Sequence, residues 1–134
     1  MSGFLVDANA LLDIATADAA WTEWSQEQLA AATERGAVFI NPIIYAELAP
    51  AFPSADALDR WLDPTVFRRA PLPYEAGCLA AQAFVTYRRG GGTRSAPLPD
   101  FYIGAHAQVE ELTLVTRDAA RYRTYFPGVM LIAP

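Results

Sequence analysis

The sequence predicts an α/β fold: a parallel sheet of about four to five strands with helices on both faces. Three observations point there. Short apolar runs without alternation recur along the chain, among them Phe4-Leu5-Val6, Val38-Phe39-Ile40 and Leu112-Thr113-Leu114-Val115. Such runs suit strands buried on both faces. They alternate with segments of helical periodicity, the pattern of βαβ units. The first and third runs lead into acids, Asp7 and Asp118. Those acids fall at the carboxyl ends of strands, where open α/β sheets place their chemistry.

The elements follow in order. Residues 3–6 form a first strand and residues 8–16 a helix, with Asp7 at its start. Residues 20–35 form a second helix, with Trp21, Trp24, Gln28, Ala31 and Ala32 on one side and Gly36 at its end. Residues 37–40 form the next strand. Asn41-Pro42 starts a helix, with a capping residue followed by proline at the first helical position. That helix carries Ile43, Ile44, Glu47 and Leu48, so Glu47 shares or borders an apolar stripe. Pro50 and Pro53 break it, and Ser54 caps a short helix over 54–62. Residues 65–68 form a short strand.

Residues 74–89 give the longest helix, with Ala76, Leu79, Ala80, Ala83, Phe84 and Tyr87 on one face. Three glycines at 90–92 then make a flexible loop. Residues 99–110 form an almost wholly apolar helix, which implies burial. On it Asp100, Ile103, Gly104 and Ala107 share a side, and the small residues permit close approach of another element. Residues 112–116 are a strand, 119–124 a turn of helix, and 129–132 a last strand.

At 134 residues the chain is expected to be a single domain, 1–134. Its 53% hydrophobic content suffices for a core. The lone Cys78 forms no disulfide within the chain, and the first apolar run is too short for a signal peptide. No run approaches the roughly 20 apolar residues of a membrane span. A soluble cytoplasmic protein is expected. The net charge of −5 argues against indiscriminate nucleic-acid binding. All ten cations are arginine, and six of them (88, 89, 94, 117, 121 and 123) fall close to Asp100 and Asp118. Arginine suits bidentate contact with phosphate.

Four carboxylates are therefore expected to converge: Asp7, Glu47, Asp100 and Asp118. With one histidine and one cysteine available, such a set suits a hard cation, Mg²⁺ or Mn²⁺. Such an ion activates water for attack on a phosphodiester. Asp7, Asp100 and Asp118 also sit where helix caps belong, and a cap needs no chemistry. His106, in an apolar helix, reads as structural, and Cys78 carries no chemistry.

Four stretches, quoted as they stand, carry a resemblance. They are Val6-Asp7-Ala8-Asn9, Glu47 in the helix after the second strand, Pro99-Asp100-Phe101-Tyr102-Ile103-Gly104-Ala105-His106-Ala107, and Leu114-Val115-Thr116-Arg117-Asp118. In this order and spacing the chain resembles a PIN domain, and more closely the VapC toxins of type II toxin–antitoxin modules. The likeness runs to the ending Tyr125–Pro134. It implies a PIN-like, Rossmann-like fold and a Mg²⁺- or Mn²⁺-dependent endoribonuclease that forms a homodimer and is inhibited by a cognate antitoxin. It further implies Asp7, Glu47, Asp100 and Asp118 as catalytic and metal-binding acids, with Asn9 and Thr116 supporting them. Arg88, Arg89, Arg94 and Arg117 are the candidate RNA contacts. The tryptophans Trp21, Trp24 and Trp61 suit a buried interface.

Other classes fit less well. A phosphoreceiver relies on a lysine beside its active aspartate, and the chain has none. A haloacid-dehalogenase-type phosphatase wants Asp-x-Asp after the first strand, where this chain has Asn9. A non-catalytic interaction module of the same fold, with its acids serving only as caps, is the alternative.

Overall fold

The computed structural model describes residues 3–92 and 98–134. Five parallel strands form one sheet in the order β3-β2-β1-β4-β5. They are β1 (Gly3–Val6), β2 (Ala37–Ile40), β3 (Phe67–Arg69), β4 (Thr113–Val115) and β5 (Leu131–Ile132). Between β1 and β2 run α1 (Ala8–Ala15) and α2 (Thr22–Arg35). Then α3 (Pro42–Leu48) and α4 (Ala55–Trp61) precede β3, and α5 (Tyr74–Arg89) and α6 (Leu98–Val109) precede β4. Helix α7 (Ala120–Tyr125) leads to β5.

Register is fixed at the centre, where Leu5 of β1 lies between Phe39 of β2 and Leu114 of β4. Phe4, Leu5 and Val6 are all buried, as the unbroken apolar run requires. The chain winds outward from β1 in one direction through β2 and β3. It then returns and winds the other way through β4 and β5. Right-handed crossovers put the two sets of connections on opposite faces. The reversal makes a topological switch point between β1 and β4, and a crevice outside their carboxyl ends.

Local signals read from the sequence take visible form. The Asn41 side chain accepts from Ile44 N at 2.9 Å, and Ser54 accepts from Ala57 N at 3.1 Å. Both close the orphan donors of a helix start. Gly104 lets α6 meet the ring of Phe126, since a Cβ there would come within 2.4 Å of the ring. Trp61, half-buried, packs between Phe52 and Phe67 against the core.

The differences from the expected elements include two boundaries and one helix face. Helix α2 begins at Thr22 because Asp18 Oδ1 accepts from the backbone of Ala20 and Trp21, each at 2.9 Å, which holds a turn there. Its inward face carries Ser25 and Ala32, while Ala31 is exposed. The reason is the buried Asp13 of α1, whose carboxylate needs the Ser25 hydroxyl at 2.9 Å. Strand β3 starts two residues after the expected position, at Phe67, the residue that reaches the core.

Candidate active site

Asp7 ends β1 and caps α1. It is 4% exposed, and its carboxylate is hydrogen-bonded on both oxygens. Oδ1 accepts from Ala8 N at 2.8 Å, and Oδ2 accepts from Thr116 Oγ1 and the Tyr122 hydroxyl, each at 2.9 Å. Burial nevertheless dominates. It raises the Asp7 carboxyl to about 6, against the opposing pull of these donors. The same surroundings push the Tyr122 phenol well above its ordinary range, so that it stays a donor.

Thr116, just past β4, is fully buried and joins three segments. Its hydroxyl donates to Asp7 and accepts from Asn9 Nδ2 and Asp118 N, both at 3.2 Å. Asn9 Oδ1 in turn accepts from Arg117 N at 3.0 Å. The two supporting polar residues thus tie the end of β4 to the start of α1 across the switch point.

Asp7, Asn9, Glu47 and Asp100, with Ala8 and Leu12, line one open cavity of about 360 Å³. Glu47 projects from α3 with much of its surface in solvent. Its carboxyl is raised to about 7 by partial desolvation first, then by Asp7 and Asp100. Solvent around an exposed side chain screens part of that effect. Asp100 stands in the first turn of α6 and pairs with Arg121, Oδ2 to Nη1, at 2.8 Å. The Arg121 guanidinium also lies over the Tyr87 ring, 5.7 Å from its centre.

Three of the expected acids therefore line one cavity. The fourth, Asp118, is exposed and outside the cavity lining, attached to the site through its backbone N–H on Thr116. Of the acids suited to be caps, only Asp7 acts as one. Helix α6 starts two residues before Asp100, and Ala119, not Asp118, precedes α7. The candidate RNA contacts are scattered. Arg88 and Arg89 are exposed at the end of α5, and Arg94 lies outside the described residues. Arg117 holds the buried Asp13, Nε to Oδ2 at 2.8 Å, and lies over Trp21.

The sequence reading gave Asp13 no role, counted Arg121 only among the arginines near Asp118, and foresaw no contact between Tyr122 and Asp7. Tyr122 and Arg121 sit on α7 just past Asp118, but no local pattern marks which side of so short a helix faces the cavity. Asp13, four residues after Asn9 on the same face, was the more legible of the three. His106 is buried, and its Nδ1 pairs with Asn41 Nδ2 at 2.9 Å, the structural role expected of it. Burial lowers its pKa.

Among the described residues no three His, Cys, Asp or Glu side chains close around a single point. The cavity's donor set is still of the kind a hard cation uses. It consists of the carboxylates of Asp7, Glu47 and Asp100 beside the Asn9 amide, and Mg²⁺ is commonly held by one or two carboxylates while keeping several waters. Asp7 and Glu47 crowd each other as anions, which a cation between them would relieve. The residues fit such an ion.

A doubly wound parallel sheet with an acidic crevice at its switch point defines the class. The PIN domain family model matches residues 4–127. The chain belongs to the PIN domain family.

Solved structures share the fold over nearly the whole chain. That of VapBC2 from Rickettsia felis bound to a promoter DNA fragment has a TM-score of 0.74 at 16% identity, covering 98% of each chain. VapBC-1 from nontypeable Haemophilus influenzae gives 0.73 at 14% identity, covering 97% of this chain and 96% of that one. A toxin–antitoxin complex from Klebsiella pneumoniae gives 0.71 at 21% identity, covering 96% of each. No curated protein matches the chain in sequence. Among the described residues no helix is long and apolar enough to cross a membrane.

Proposed function

We propose that the chain is the toxin of a toxin–antitoxin module, an endoribonuclease that uses Mg²⁺, or Mn²⁺ in its place. The observation that carries this reading is that Asp7, Glu47 and Asp100 line one cavity at the β1/β4 switch point. These three acids would hold the ion, with Asp118 as a fourth acid at the edge. Bound there, a divalent ion lowers the pKa of water and offsets charge on the phosphodiester.

The chain's own groups prepare that site. Thr116 and Tyr122 donate to Asp7 Oδ2, fixing the plane of the carboxylate. Asn9 holds the backbone of Arg117 and so fixes where the β4–α7 turn lies. Glu47 adds its carboxylate to the cavity, and a cation bound there would hold it in the charged form.

A cognate antitoxin and a homodimer complete the reading. The antitoxin is supported by the toxin–antitoxin complexes among the structural neighbours. A strictly monomeric mass by light scattering at high micromolar concentration would count against the dimer. The direct test of activity is to purify the chain without its partner and sequence the ends it produces in total RNA. New ends in Mg²⁺ that vanish in chelator are expected. RNA left uncut by folded protein in Mg²⁺ would point to the non-catalytic interaction module.

A further inference from the structure

We propose that Arg121 is a substrate-binding residue of this site, taking a backbone phosphate of single-stranded RNA at the mouth of the acidic cavity. The inference rests on the ribonuclease reading. A cavity lined by three acids, in a chain of net charge −5, repels a polyanion unless a cation stands at its rim. The arginines differ in how far they can serve. Arg117 is bound to a buried aspartate, and Arg69 is paired with Asp59 at 2.6 Å, on β3 at the edge of the sheet. Arg88 and Arg89 are exposed at the end of α5. Among the described residues, Arg121 alone pairs with a carboxylate of the cavity.

Its setting suits the task. The Arg121 side chain is 34% exposed, and among the described residues it gives one hydrogen bond, to Asp100, out of five donors. A guanidinium so placed still presents a fork that matches a phosphate edge. Asp100 fixes one end of the group, and the Tyr87 ring lies beneath it. The next residue, Tyr122, is anchored on Asp7, which sets this part of α7 against the cavity floor. Little side-chain freedom remains to be lost on binding.

The experiment measures binding of a fluorescent single-stranded RNA of mixed sequence over a range of salt, with Ca²⁺ replacing Mg²⁺ and a gel confirming that the RNA stays intact. Arg121→Gln should weaken binding about three- to tenfold. It should also lower the slope of log affinity against log salt by about 0.7, one phosphate contact on a single strand. Arg121→Lys should keep the slope, because the charge remains, and lose part of the affinity. A purely structural Arg121 would leave the slope unmoved in both variants. Should Arg121→Gln fail to fold, wild-type protein supplies the second measurement. RNA should shield Arg121 from phenylglyoxal, read by mass spectrometry, and an unshielded Arg121 overturns the proposal. Wild type that binds RNA while Arg121→Gln matches it in affinity and slope overturns this inference alone. Wild type that binds no RNA overturns the ribonuclease reading, and this inference with it.

Discussion

The Tyr122 hydroxyl donates to Asp7 Oδ2 at 2.9 Å, joining residues 115 apart in the chain. The bond sits in a buried setting where neither group meets water freely. It links α7, on the far side of β4, to the carboxylate that ends β1. Tyr122→Phe keeps the packing and removes the donor. With Thr116 and Ala8 N left to support the charge, the Asp7 carboxyl should titrate higher still. Stability should fall by about 1–2 kcal/mol at pH 8 and by less at pH 5, where Asp7 is protonated more readily. Urea unfolding at the two pH values checks this. An equal loss at both would mean the bond does not bear on the Asp7 charge.

Stability of the metal-free protein should fall as pH rises through the range in which Asp7 and Glu47 titrate. Asp7 and Glu47 are both raised in the folded state, to about 6 and about 7. The folded protein therefore binds protons more tightly than the unfolded chain, and stability falls as pH rises from about 4 toward 7. Asp7, being buried, contributes a loss on the order of 3 kcal/mol over that range. Thermal melts in chelator between pH 5 and 8 should show a falling midpoint. A rising one would contradict the desolvation and crowding that raise these acids.

Asp13 should matter for folding and not for chemistry. It is 3% exposed, bonded to Ser25 and ion-paired with Arg117. Asp13→Ala leaves a buried hydroxyl and a partly buried guanidinium without their partner. A loss of roughly 3 kcal/mol is expected in denaturant unfolding. Any RNA cleavage, compared per folded molecule, should be little changed. A variant as stable as wild type would remove Asp13 from the scaffold.

Glu47→Gln keeps shape and hydrogen-bonding capacity while removing the charge. The variant should fold, and its melting midpoint in chelator should match or exceed that of wild type, since a crowded anion is gone. RNA cleavage should drop by several orders of magnitude, an expectation drawn from the role of a charged group near activated water. Gel-resolved cleavage of one substrate is sufficient. Cleavage at the wild-type rate would take Glu47 out of the reaction.

The strands and most helices were legible because their signals are local. An unbroken apolar run such as Phe4-Leu5-Val6, or a cap such as Asn41-Pro42, depends only on neighbours in the chain. The sheet order was less so, since it depends on crossovers that no single segment encodes. Asp7, Glu47 and Asp100 could be picked out as acids at strand ends or on apolar stripes. Tyr122 could not be told from a core aromatic, because its burial and its hydrogen bond coexist: the ring packs inside while the hydroxyl reaches Asp7. Arg117 read as an RNA contact from its place beside Asp118. Its partner, Asp13, lies 104 residues away and is visible only once α1 is folded against β4.

The central claim is that Asp7, Glu47 and Asp100 form one cation site, and Mn²⁺ binding tests it most directly. Loss of the free-ion electron paramagnetic resonance signal would be followed as wild-type protein is added. Asp100→Asn serves as the control, because its solvent-accessible, part-buried pair with Arg121 contributes only about 1 kcal/mol to stability and the variant should remain folded. Wild type should take up Mn²⁺ and compete it off with Mg²⁺, while Asp100→Asn should bind at least tenfold more weakly. No uptake by wild type, or equal uptake by the two proteins, would contradict the claim.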